Sequence, residues 1–148
     1  MRRVQRATDK EEVIKRLTVG DKPYFKEIWR LVLFAAMVGH RHGRREKLAS
    51  FDSGKGIDAA IFGNTQPAWP GLLYLLALVE TNSHTILQSG EDQDNEKIAI
   101  FEEYANGGLA ILKERLEPSS YSLDSILDVV LSEDVSAPGA VSLNTVEI

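Results

Sequence analysis

Apolar residues recur at helical spacing almost from the start of the chain. Val13, Ile14 and Leu17 fall on one face behind Thr8-Asp-Lys-Glu11, which has capping-box spacing, and Gly20 is a natural stop. Asp21 then offers a cap, with Pro23 near the first turn of a second helix predicted to run to about residue 39. Within it Phe25, Ile28, Trp29, Val32, Leu33, Ala36 and Met37 keep an i, i+3, i+4, i+7 series. Leu31, Phe34 and Val38 fill much of the opposite face, which marks a central helix. Residues 48–71 are less regular. There Phe51-Asp-Ser-Gly-Lys-Gly56 and Gly63-Asn-Thr-Gln-Pro67 bracket a short apolar run, 57–62, that reads as a short helix with a strand as the alternative.

Pro70-Gly71 opens another apolar helix, predicted over 72–81, and a polar stretch to residue 93 follows. From Asp94 comes the clearest amphipathic pattern. Ile98, Phe101, Ala105, Leu109 and Leu112 trace one stripe, with Ile111 and Leu116 at its edge and Glu117-Pro118 ending it. Ser122 or Ser119 caps a last helix over 123–131. Periodicity is lost from Asp134 onward. The predicted fold is all-α: a single compact domain of about five helices over 1–133, built on a long apolar central helix, with a flexible C-terminal tail over 134–148.

Composition narrows the chemistry. A chain of 148 residues, 43% hydrophobic and 26% charged, has the make-up of a soluble globular domain and is long enough for a real core. The absence of cysteine excludes disulfides, thiol nucleophiles and cysteine-ligated zinc or iron–sulfur sites. The apolar runs 31–38 and 72–79 stop far short of the roughly twenty residues a membrane span needs. No apolar signal core follows the basic opening MRRVQRATDK, so the expected location is cytoplasmic, with no membrane contact. The net charge of −5 hides a split: residues 1–74 hold 14 Lys and Arg against 8 Asp and Glu, residues 75–148 hold 3 against 14. Such halves, +6 and −11, predict a surface with a basic and an acidic side, provided they do not fold face to face.

The basic half culminates in GHRHGRREKL, directly after the central helix. Its cations Arg41, Arg44, Arg45 and Lys47 suit the exposed carbonyls of a helix C-terminus, and equally a phosphate- or carboxylate-binding edge, because guanidinium forks match both geometries. Gly43 permits a turn among them. His40 and His42 are too close in sequence for the i, i+4 pairing of a helical metal site, so a metal-dependent hydrolase or nuclease would need carboxylates supplied by folding; His84 has no obvious partner. Ser53-Gly-Lys-Gly56 lacks the glycine spacing and hydroxyl of a phosphate loop, and the acids around 91–96 lack the glycine of a calcium loop. Glu102 and Glu103 diverge by about 100° on a helix and cannot share one side. Gly107-Gly108 inside that helix costs roughly 1 kcal/mol per glycine against alanine. Close approach of another helix is the commoner compensation, and a break at a ligand the rarer one. No cofactor site is predicted.

Taken as a set, LFAAMVG from Leu33, GRRE from Gly43, LLALVET from Leu75 and IFEEYANGGL from Ile100 resemble a small bacterial family. Its members are accessory proteins associated with DNA phosphorothioation (dnd) gene clusters, a modification and restriction system. The resemblance spans about 10–132, is most specific in FEEYANGGL, and leaves out the tail. It implies a bacterial accessory protein and supplies no catalytic residues. The expected function is therefore non-enzymatic: binding of DNA or a system partner through the basic half, at Arg41, Arg44, Arg45 and Lys47. Opposite-sign faces also make a homo-oligomer an expectation.

Overall fold

The computed structural model describes residues 1–62, 70–116 and 121–132, and among these it is built of α-helices and short 3-10 turns. The helices are α1 (Glu11–Thr18), α2 (Ile28–Arg41), α3 (Pro70–Thr81), α4 (Glu91–Arg115) and α5 (Leu123–Leu131). Paired against each other, α2 and α4 form the centre, and α1, α3 and α5 pack around them. One apolar cluster gathers Val32, Leu33, Phe62, Leu73 and Phe101 on the α3 side. A second gathers Leu17, Leu31, Val38, Leu112 and Ile126 on the α1 and α5 side. Every residue of the stripe predicted on α4 is buried.

Glycine sets the approach of the two central helices. A Cβ on Gly39 of α2 would overlap the Tyr104 carbonyl, and one on Gly108 would overlap the Ala35 carbonyl. Gly107 leaves the same room for the backbone of Arg44. Close packing is thus what offsets the helix-breaking cost of the Gly107-Gly108 pair. Gly39 consequently does not stop α2, which runs on to Arg41.

Several boundaries differ from the periodic reading. The central helix starts at Ile28 rather than near Pro23, because the backbone N–H of Phe25 donates to the Leu17 carbonyl (3.0 Å) and turns the segment back over the end of α1. Phe25 still reaches the core, its ring 5.2 Å from that of Phe34. The capping box does not form: the Thr8 hydroxyl pairs with Ser50 and Glu11 accepts from Arg6 at 2.7 Å. Residues 57–62 are divided between the two predicted forms. Ile57 makes an isolated antiparallel bridge to Val4, and Ala59–Phe62 is a 3-10 turn. The fourth helix begins three residues earlier than predicted, at Glu91. At α5 the Ser122 hydroxyl caps the helix, accepting from the Ser125 N–H at 3.1 Å. Gly63-Asn-Thr-Gln-Pro67, Glu117-Pro118, Ser119 and the tail 134–148 lie outside the described residues.

Candidate functional site

At the end of α2 the chain reverses through Gly43, whose φ of +64° is a left-handed conformation that glycine adopts without strain. The N–H of Arg44 closes the turn on the Gly39 carbonyl at 2.8 Å. From there residues 44–47 run along α4. Glu46 N–H donates to the Glu103 carbonyl (3.0 Å), and the buried Asn106 amide donates to the carbonyls of Glu46 and Lys47 (3.2 and 3.3 Å). The basic cluster is therefore part of the framework, fixed by backbone bonds to the most buried stretch of the protein.

Arg44 and Arg45 turn to carboxylates and not to the carbonyls that end α2. Arg44 grips Glu114 with both terminal nitrogens (2.7 and 2.8 Å) and donates through Nε to Glu46 (2.7 Å). Arg45 joins two helices, donating through Nε to Glu103 of α4 (2.6 Å) and through Nη1 to Glu80 of α3 (2.9 Å). The Tyr104 hydroxyl donates to the other oxygen of Glu80 at 2.5 Å. These bonds shift the titrations. The Arg44 guanidinium is raised by its bond to Glu114, and that bond holds the Glu114 carboxyl below its ordinary range. Burial pulls the Arg45 pKa down, but the bonds to Glu103 and Glu80 outweigh it and the net shift is upward. The Tyr104 hydroxyl, with Arg45 assisting, lowers Glu80. Burial and the hydrogen bond to Glu80 push the Tyr104 phenol up to about 12.

The +6 and −11 halves do meet face to face here. Arg2–Glu102, Arg44–Glu114, Arg45–Glu80 and Arg45–Glu103 each join a basic first-half residue to an acidic second-half residue. Much of the charge asymmetry is spent inside the molecule. Arg41 and Lys47 are exposed and, unlike Arg44 and Arg45, have no carboxylate partner among the described residues. Glu103 and Tyr104 stood out in the sequence only as a candidate acid–base group, and their pairing with the arginines was not legible because nothing local links Glu80, Glu103 or Glu114 to residues 44 and 45. The one local signal was Glu80, the single charged residue in an otherwise apolar and neutral α3.

The histidines separate. His42 is buried, its Nε2 3.0 Å from the Val129 carbonyl of α5, whereas exposed His40 lies edge-on to the Tyr104 ring at 5.4 Å. His84 is exposed in the 3-10 turn His84–Leu87. Among the described residues no group of three or more His, Asp or Glu side chains is placed to hold a metal ion. Ser53–Lys55 is a 3-10 turn capped by Asp52, which accepts from the Gly54 N–H at 2.9 Å. Glu102 and Glu103 face apart, Glu102 accepting from Arg2 and from the Gln5 N–H (2.6 Å). No described helix is long and apolar enough to cross a membrane.

A family model described as DNA sulphur modification system-associated protein 4 matches residues 3–145. The match is wider than 10–132 and takes in most of the segment after Asp134, which the resemblance had left out. No curated protein and no solved structure matches the chain.

Proposed function

The chain belongs to the family of DNA sulphur modification system-associated protein 4, and on that premise we propose that it is a non-enzymatic accessory protein that binds another component of the system through its basic segment. The observation that carries this reading is the anchoring of residues 44–47 to α3 and α4 by backbone bonds and ion pairs. Arg44 and Arg45 are neutralised in place and anchor the segment to α3 and α4, which leaves Arg41 and Lys47 exposed at its two ends. In this division Arg41 and Lys47 make the contact, and Arg44 and Arg45 hold the edge in shape. An acidic protein surface fits such an edge better than duplex DNA does. Sustained phosphate contact wants several unneutralised cations, and a chain of net charge −5 is repelled by DNA outside its basic edge.

The test is pairwise co-expression with each protein of the system, followed by co-purification. Arg41→Glu together with Lys47→Glu is expected to abolish one such pairing and leave thermal melting unchanged. Co-purification indifferent to both substitutions overturns the reading. The DNA alternative is separated by anisotropy on a labelled duplex, where binding that weakens steeply with salt would replace the protein partner with phosphate. The metal-dependent hydrolase alternative is not carried forward, since His40 and His42 turn to Tyr104 and Val129.

A further inference from the structure

An open, largely apolar groove of about 630 Å³ lies beside the first half of α2. Partly buried Trp29 and Met37 line it at i and i+8, with Leu33 of the core, 5% exposed, between them at i+4; Phe25, Leu72, Lys26 and Arg30 complete its lining. Elsewhere on the surface, α5 carries a ridge with the same spacing. Leu123, Leu127 and Leu131 are 59%, 45% and 70% exposed, too much for leucines that belong to the core beneath them. Asp124 and Asp128 flank that ridge, and α5 has no basic residue. Both series span eight residue steps of helix, about 12 Å at 1.5 Å per step, so the two match in length.

We infer that the groove is filled by the α5 leucine ridge of a second copy of this chain, and that the protein is a dimer through this contact. Apolar wall meets apolar ridge, and the Lys26 and Arg30 cations meet the Asp124 and Asp128 carboxylates. Arg30 already shares Glu27 at 3.5 Å and lies 5.0 Å over the Trp29 ring, so it is held at the edge it must defend. Ridge and groove are also neighbours on one surface. Tyr24 lines the groove, and its hydroxyl donates at 2.6 Å to the carbonyl of Tyr121, two residues before the ridge begins. A twofold axis between them places each ridge in the other copy's groove, a closed isologous arrangement that buries both apolar features at once. The inference does not depend on what the basic segment binds.

Sedimentation equilibrium of the full chain tests it. The expected result is a monomer–dimer equilibrium whose affinity falls at least about tenfold in Leu127→Lys, a difference of roughly 1.4 kcal/mol. Leu127 is exposed, so the melting temperature of this variant at low concentration should match the parent's. Arg30→Glu should weaken the dimer likewise, and adding Asp128→Lys to it should restore affinity by reversing both charges. The cysteine-free chain allows a second measurement. Leu127→Cys mixed with Met37→Cys should cross-link through a short bismaleimide far faster than Ser53→Cys mixed with Met37→Cys. A monomer at every concentration overturns the proposal, including one in which the chain's own segments cover the groove. So does a dimer indifferent to Leu127→Lys and to the charge exchange.

Discussion

α4 and α5 carry similar apolar residues at similar spacing, yet they end in opposite environments. Between Phe101 and Leu112 every residue of α4 except Glu103 is buried, whereas α5 buries Ile126 and Val129 and leaves three leucines outside. Hydrophobicity does not account for this, because α5 is the more apolar of the two. The difference lies in how closely neighbours can approach. Gly107 and Gly108 admit the backbone of residue 44 on one side and of α2 on another, so α4 is enclosed by main chain as well as side chains. α5 offers no such small positions at its centre, and it rests on the core through one face only. A helix becomes central in this fold by lacking side chains at the right places.

The largest test of that contrast is Gly108→Ala. A methyl there meets the carbonyl of Ala35, which cannot move without displacing α2. In an exposed helix the same substitution would gain roughly 1 kcal/mol from helix propensity. Here overpacking should dominate and destabilise the protein by about 3 kcal/mol, read as a lowered midpoint in urea. An unchanged or raised midpoint would show that the two helices are not in backbone contact. Ser122→Ala probes the other side of the comparison. It removes the side-chain cap of α5 and should cost about 1 kcal/mol. Because α5 rests on one face, the loss should appear first as faster amide exchange along α5, with α4 protected as before.

The same contrast explains what could be read from the amino-acid sequence. The α4 stripe was legible because Ile98, Phe101, Ala105, Leu109 and Leu112 repeat with the period of a helix that faces a core. Ser122 was legible because a hydroxyl cap is a local bond. The start of α2 was not, since Phe25 leaves the helix for a long-range bond to the Leu17 carbonyl that no spacing encodes. At the basic segment the cations were legible and their fate was not. Beyond the local pair of Arg44 with Glu46, Arg44 and Arg45 are bound by carboxylates 35 to 70 positions away, brought close only by the packing of α3 and α4 against residues 44 and 45. Arg41 and Lys47, which fold into no such pair, keep the exposed character the sequence suggests.

A smaller effect separates the two helices by pH. The clasp of Arg45, Glu80 and Tyr104 ties α3 to α4 through ionisable groups, whereas the α5 cap is a neutral serine. Glu80 titrates below its ordinary value of 4.5 in the folded protein. Its contribution is therefore complete above that value and disappears as the pH falls through the lower folded one. Tyr104 is raised from 10.0 to about 12, so its contribution is complete below pH 10 and disappears as the pH rises through about 12. Glu80→Gln removes the carboxylate both depend on. At neutral pH it should cost at most about 1 kcal/mol, since the clasp is partly exposed and screened. Its sharper signature is spectroscopic: the tyrosinate absorbance step near pH 12 should move to lower pH, because the neutral amide no longer opposes the phenolate's charge. Amide exchange of α5 should keep its pH dependence in the variant. A phenol step unmoved by Glu80→Gln would mean that burial alone raises Tyr104, and that the contact between α3 and α4 rests on apolar packing without the clasp.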